Sequence, residues 1–152
     1  MKLASEVLSA LAGKRLVTAE SCTGGGIGAV LTAIPGSSEV YQGGVISYTN
    51  WVKQHILGVD PVVLEQFGAV SAPVAEAMAQ GVRAALEADV AVSVTGLAGP
   101  GADEYGNPVG TVFVGYSDQT KTVSRRFLFS GNRETVRKQA AEAALKFILE
   151  NY

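Results

Sequence analysis

Apolar residues recur at helical spacing at Leu3, Val7, Leu8 and Leu11, and Gly13 ends the run, so the first pattern predicts a helix over 3–12. Residues 15–20 are short and apolar with Leu16 and Val17, the pattern of a buried strand. Small and apolar residues over 24–33 return to the helical period, closed by the Pro35-Gly36 turn. A second strand is predicted over 43–48. Asn50 then sits where a cap would start a short helix carrying Val52, His55, Ile56 and Leu57. Another short helix follows over 61–67. Ser71 is placed to cap a long helix, 72–88, with Pro73 in its first turn. Val90, Ala91, Val92 and Val94 make 88–95 the clearest buried strand. Residues 96–108 form a loop rich in glycine and proline. Strands over 109–116 and 121–129, joined by the tight turn 117–120, read as an antiparallel hairpin. Asn132 caps a last amphipathic helix, 133–150, through Val136, Ala140, Ala144, Leu145 and Ile148.

Helices alternate with strands for two thirds of the chain before the hairpin. This order predicts an α/β sandwich with a mixed, mostly parallel sheet, helices on both faces and a C-terminal hairpin. No internal repeat, linker or low-complexity stretch interrupts it, and 1–152 reads as one domain. In such folds a ligand sits beyond the carboxyl ends of the strands. Three segments fall there: Ser21–Gly26, Tyr48–Lys53 and Thr95–Pro108.

Composition narrows the class of function. Of 152 residues 47% are hydrophobic and 17% charged, which fits a folded chain with a real core. The net charge is −2 and the basic pairs are scattered, which argues against a dedicated nucleic-acid binder. One cysteine permits no internal disulfide, in keeping with a reducing compartment. No apolar run reaches membrane-spanning length and no signal-peptide pattern opens the chain, so the expectation is cytoplasmic, without membrane attachment. No His, Cys, Asp or Glu cluster has metal-ligand spacing, so no metal or other cofactor is expected.

Chemistry concentrates in Ala19-Glu20-Ser21-Cys22-Thr23-Gly24-Gly25-Gly26. Two hydroxyls, a thiol and a carboxylate stand where a strand hands over to a helix, and such a junction offers free backbone N–H groups. Ser21 is a weak nucleophile unless a base takes its proton. The chain's one histidine is His55, but Tyr48 and Lys53 stand at the next strand–helix junction. A lysine becomes a base when burial disfavours its ammonium form. A tyrosine hydroxyl can hold or relay the proton. N–H groups from Cys22 to Gly25 would supply an oxyanion hole. This set suits acyl transfer, although Ser, Lys and Tyr on adjacent loops are common.

The segments AESCTGG, PGSSEVYQGGVISYTNWVKQHILGV, GAVS, VTGLAGPGADEYGNPVGTV and SGNRETVRKQA closely resemble the CinA carboxy-terminal domain family, the nicotinamide-nucleotide amidases. The likeness covers residues 3–150. It implies a three-layer α/β/α sandwich in a cytoplasmic bacterial setting. It also implies metal-free, cofactor-free hydrolysis of nicotinamide mononucleotide to nicotinate mononucleotide and ammonia. On this resemblance the nucleophilic serine falls on Ser21, the tyrosine on Tyr48 and the lysine on Lys53. Many relatives carry a further amino-terminal domain, so the stand-alone form is expected here. The pattern is broken twice. Asn107 precedes Pro108 where the family usually has lysine, and Trp51 stands where relatives have a small or acidic residue. Both departures bear on substrate affinity more than on reaction type.

Substrate contacts are expected from Cys22, Thr23, Gly24, Gly25, Thr95, Gly96, Gly99 and Arg133, with the glycine-rich loop cradling a phosphate through its backbone N–H groups. Plainer readings stand beside these. Thr23 and its glycines also suit a close-packed helix start. Glu20 either fixes a neighbouring loop or orients Lys53. Arg133 either reaches a phosphate or pairs with Glu134 or Glu104. Asp103, Glu104 and Tyr105 suit the tip of a mobile lid. A Cys22–His55 pair is disfavoured because adjacent strand residues face opposite ways, which sends Cys22 to the core if Ser21 faces the pocket. Apolar surface near Trp51 suggests a homodimer or higher homo-oligomer. Alternatives to an enzyme are a non-catalytic nucleotide-binding module and an interaction protein of competence or DNA-damage response.

Overall fold

A computed structural model describes residues 2–152. The order is α1 (Lys2–Ala10), β1 (Leu16–Glu20), α2 (Gly26–Thr32), a short 3-10 turn (Ser37–Glu39), β2 (Tyr41–Ile46), α3 (Asn50–His55), α4 (Pro61–Phe67) and α5 (Ala72–Ala85), then β3 (Val90–Gly96), β4 (Thr111–Ser117), β5 (Thr122–Leu128) and α6 (Arg133–Asn151). One five-stranded sheet runs β2-β1-β3-β4-β5. β1 pairs in parallel with both β2 and β3, while β3–β4 and β4–β5 are antiparallel. The mixed α/β sandwich with a C-terminal hairpin is therefore present as the pattern predicts.

Strand alternation divides the core into two layers. Leu16, Val90, Val92 and Val94 face a cluster built with Val7 and Leu11 of α1, Ile27 and Leu31 of α2, and Val136, Leu145 and Ile148 of α6. Val17, Ala19 and Ala91 face the other way, onto Leu57, Leu64, Val74, Met78 and Val82. The central strands β1 and β3 are buried on both faces because helices cover both faces.

Several boundaries differ from the pattern, each for a local reason. α2 begins at Gly26, because Gly24 and Gly25 adopt left-handed backbone with φ 58° and 103° and form a turn instead. β2 runs over Tyr41–Ile46, ahead of the predicted 43–48, since Leu16 pairs with Tyr41 across the sheet. Thr49, not Asn50, caps α3, its hydroxyl accepting from the Val52 N–H. Ser71 precedes α5 as expected, but its hydroxyl donates to the Gly68 carbonyl and does not cap the helix. Asn132 caps α6 through the Thr135 N–H.

The loop 97–110 is held at several points. The Asp103 carboxylate accepts the N–H groups of Tyr105 and Asn107. Asn107 Nδ2 donates to the Val70 carbonyl at 3.1 Å and to Asp103 at 2.7 Å. The Tyr105 hydroxyl donates to the Glu65 carbonyl, and its ring occupies the space where a Cβ on Gly68 would stand. The tip expected as a mobile lid is thus tied to α4 and to the segment before α5.

Candidate active site

The parallel strands deliver three chain segments to one end of the sheet. The Ser21 N–H donates to the Val94 carbonyl, and the Ser47 N–H donates to the Glu20 carbonyl. These bonds continue the β1–β3 and β1–β2 ladders one step past the strands, and they set the ends of β1, β2 and β3 side by side. After Ser47 the chain turns through Thr49 into α3, one turn and a half long. Of the residues in α3 Lys53 alone is buried, at 1% exposure.

Its ammonium end returns to the strand ends. Lys53 Nζ lies 3.0 Å from Ser21 Oγ and 2.7 Å from the Ser47 carbonyl oxygen. Burial lowers the Lys53 pKa from 10.5 to about 8. A buried lysine without a carboxylate partner, hydrogen-bonded to a serine hydroxyl, is the arrangement that general-base activation of a nucleophile requires.

These residues open onto a cavity of about 470 Å³. Of the residues singled out in the sequence, Ser21, Cys22, Tyr48, Lys53, Thr95, Gly96, Gly99 and Arg133 line it. Thr23, Gly24 and Gly25 do not. The Thr23 hydroxyl donates to Glu20 at 2.6 Å, Gly24 approaches Arg137, and Gly25 packs beside Ile46. Cys22 is 6% exposed, and burial pushes its thiol up to about 12, so it stays protonated and inert. The Thr95 hydroxyl donates to the Ala69 carbonyl.

Tyr48 stands at the rim, 56% exposed. Its hydroxyl accepts from Arg133 at 3.0 Å, and the same guanidinium donates to the Gly99 carbonyl at 2.7 Å. Arg133 thereby ties α6 to the glycine-rich loop and to the segment after β2, and it pairs with neither Glu134 nor Glu104 among the described residues. The lining contains two cationic side chains, Lys53 and Arg133, and no carboxylate.

Glu20 lies behind the nucleophile turn, 2% exposed. Its carboxylate accepts from Thr23 Oγ1, the Ile27 N–H at 2.8 Å and the Gly28 N–H at 3.0 Å. It is the anionic cap of α2, held by the helix's free N–H groups, and it makes no bond to Lys53 among the described residues. His55 stacks on Trp51 with ring centroids 4.2 Å apart, on the exposed side of α3 and away from Cys22.

Sequence reasoning missed four contributors. Asn50, Ala69 and Val70 line the cavity, and of these Asn50 entered the sequence reading only as a cap. Arg137 donates from Nε to the Cys22 carbonyl at 3.1 Å and from Nη2 to the Thr23 carbonyl at 3.2 Å. Nothing in the sequence separates Arg137 from a solvated basic residue, because its partners are backbone atoms 114 and 115 positions away. No group of three His, Cys, Asp or Glu side chains converges among the described residues.

Known proteins of the same kind were found by sequence and by structure. The family model for the CinA C-terminal domain matches residues 1–152. Nicotinamide-nucleotide amidohydrolase PncC of Pseudomonas putida is 46% identical over 136 residues, which cover 90% of this chain and 85% of that protein. A CinA-like protein of Synechocystis is 50% identical over 121 residues, covering 80% of this chain. The match takes in 29% of that longer protein, and several other similar relatives are likewise matched over about a third of their length. Among solved structures, the competence damage-inducible protein A of Klebsiella pneumoniae superposes with a TM-score of 0.96 at 38% identity, over 99% of this chain and 94% of that one. The competence/damage inducible protein CihA of Agrobacterium tumefaciens gives 0.94 at 36% identity, over 98% and 93%. With a matching model along its whole length, and relatives this similar in both sequence and fold, the chain belongs to the CinA C-terminal domain family.

Proposed function

We propose that this chain is an amidohydrolase that converts nicotinamide mononucleotide to nicotinate mononucleotide and ammonia, with Ser21 as nucleophile and Lys53 as its base. The observation that carries the reading is the 3.0 Å contact between the buried, pKa-lowered Lys53 and Ser21 at the cavity. The substrate assignment is supported by the similarity to the amidohydrolase of Pseudomonas putida.

In the proposed reaction neutral Lys53 takes the Oγ proton as Ser21 attacks the carboxamide carbon. The carbonyl electrons move to oxygen, where backbone N–H groups of the nucleophile turn stabilise the charge. Collapse of this adduct breaks the C–N bond, and the Lys53 ammonium returns its proton to the departing nitrogen as ammonia. Water then attacks the Ser21 ester, Lys53 taking its proton and passing it to Ser21 Oγ as nicotinate mononucleotide leaves. The proton steps run through Lys53, and the Tyr48 hydroxyl, which accepts from Arg133, keeps its own proton free to assist. Tyr48, Arg133 and the loop from Thr95 to Gly101 then contact the substrate, and the Arg133 guanidinium suits its phosphate. A single thiol and small diffusible reactants fit cytoplasmic pyridine-nucleotide salvage.

Ammonia release from the mononucleotide, compared across dinucleotides and simple amides, tests this reading. The purified chain should release ammonia from the mononucleotide, and Ser21→Ala should lose about a thousandfold or more of that activity. Full turnover by Ser21→Ala would falsify the serine mechanism. Tight mononucleotide binding without ammonia release would replace the enzyme reading with a nucleotide-binding module.

A further inference from the structure

We infer that Arg137 is a positioning residue for the oxyanion hole: from α6 it fixes the peptide planes after Cys22 and Thr23, and so aims the Thr23 N–H at the substrate oxygen. The inference rests on the reading of Ser21 as nucleophile. It goes further by naming the donor and the side chain that orients it.

The hydrogen bonds of the nucleophile turn carry the argument. The Ser21 N–H is taken by Val94, the Gly24 N–H by the Ser21 carbonyl and the Gly26 N–H by the Thr23 carbonyl. Among the described residues the Thr23 N–H has no partner, and the Cys22 N–H meets only its own thiol. They immediately follow Ser21 in the chain, and Cys22 itself lines the cavity beside it. Gly24, expected among the N–H donors, spends its N–H inside the turn.

In a trans peptide the C=O and the following N–H point in opposite directions. Arg137 Nε holds the Cys22 carbonyl on the α6 side, so the Thr23 N–H of that same plane points away from α6. The Arg137 side chain lines a separate groove between α1, α2 and α6, together with Thr23 and Ala141. The substrate cavity lies across the turn, where Ser21 and Cys22 open. A second bond, Nη2 to the Thr23 carbonyl, locks the next plane. The planar fork of arginine makes both bonds at once, which the single ammonium of lysine does not reproduce. Gly24 permits the approach, since a Cβ there would stand 3.3 Å from Nη2. A cation on the carbonyl also polarises the peptide and strengthens its N–H as a donor.

A fixed donor matters most when charge develops on the substrate oxygen. Loss of one such donor costs about 100- to 1000-fold in kcat, and misplacing it costs part of that. The test compares Arg137→Lys and Arg137→Met with the wild type in three readouts. The first is kcat and KM for ammonia release from nicotinamide mononucleotide. The second is the pH profile. The third is the rate at which a small fluorophosphonate reacts with Ser21, a step in which Lys53 takes the Oγ proton, the Oγ–P bond forms, fluoride leaves and a P–O oxygen lies in the same hole.

Both variants should lose about tenfold or more in kcat. KM and the apparent pKa should stay unchanged, and phosphonylation should slow in parallel. Phosphonylation and kcat both within twofold of wild type in a folded variant would overturn the inference. So would a loss confined to KM. Arg137→Lys keeps the cation on α6 and serves if Arg137→Met does not fold. If the wild type releases no ammonia from the mononucleotide, the substrate assignment fails while phosphonylation still decides the role of Arg137.

Discussion

At the scale of the residue, the chemistry turns on the protonation of Lys53. With a pKa of about 8 rather than 10.5, the neutral amine at pH 7 is enriched about 300-fold over an ordinary lysine. Activity should therefore rise with pH, about tenfold per unit at low pH, and level off above about pH 8. A kcat/KM profile checks this, and a flat profile between pH 6 and 9 would remove Lys53 as the base. The same shift makes a stability statement. Between about pH 8 and 10.5 the unfolded chain binds a proton that folded Lys53 has lost. Stability from this group therefore rises with pH across that window, by on the order of 3 kcal/mol, and the whole penalty applies below it. The stability difference between wild type and Lys53→Met isolates the term, because other titrating groups cancel. It should move toward the wild type by most of that amount between pH 8 and 10.5 in denaturant titrations. A difference independent of pH would contradict the lowered pKa.

Ser21 and Lys53 were legible in the sequence, because a serine leaving a strand and a lysine opening the next helix place both at one sheet edge. Gly24, Gly25 and the Thr23 side chain belong to the same motif yet face elsewhere. The turn rotates the chain after Cys22, and Glu20 draws the Thr23 hydroxyl behind the nucleophile.

At the scale of the element, α2 depends on Glu20. Seven residues are too few for a helix to stand on propensity, and its first N–H groups end on a buried carboxylate. Glu20→Gln keeps the shape but offers an NH₂ where an acceptor oxygen stood, opposite a buried donor. The expected cost is about 2 kcal/mol, a fall in Tm of roughly 4–8 °C. A thermal melt within one degree of wild type would show that the cap contributes little. Asn107 belongs at this scale as well. Its departure from the family pattern bears on substrate affinity, and the structure adds a second role, its amide bracing the loop against Val70 and Asp103. Spacing could not reveal that, since the Val70 partner is a backbone carbonyl 37 positions away.

At the scale of the whole molecule, an exposed apolar group borders the site. Ile46, Trp51 and Ile56 are 55%, 61% and 51% exposed near the open edge of β2, whose far side carries no strand. We propose self-association through this side, as the sequence suggests. Light scattering should return at least twice the mass of one chain, and Trp51→Glu should return it to one. A single-chain mass for the unaltered protein would dismiss the idea. No helix among the described residues is long and apolar enough to cross a membrane.

By itself the sequence determined the order of strands and helices and the double-sided burial of the sheet. These follow from periodicity, turn residues and caps, all of which act over a few neighbours. It also marked Ser21, Lys53 and the glycine-rich loop, since strand ends in this fold gather at one edge. The tertiary structure alone decided which atoms of the motif face the cavity, that Lys53 is buried deeply enough to lose its proton near pH 8, and that Arg137 grips the nucleophile turn. Desolvation and contacts to distant backbone carbonyls depend on what the whole chain packs around a group, and the identity of that residue and its neighbours in sequence does not fix them.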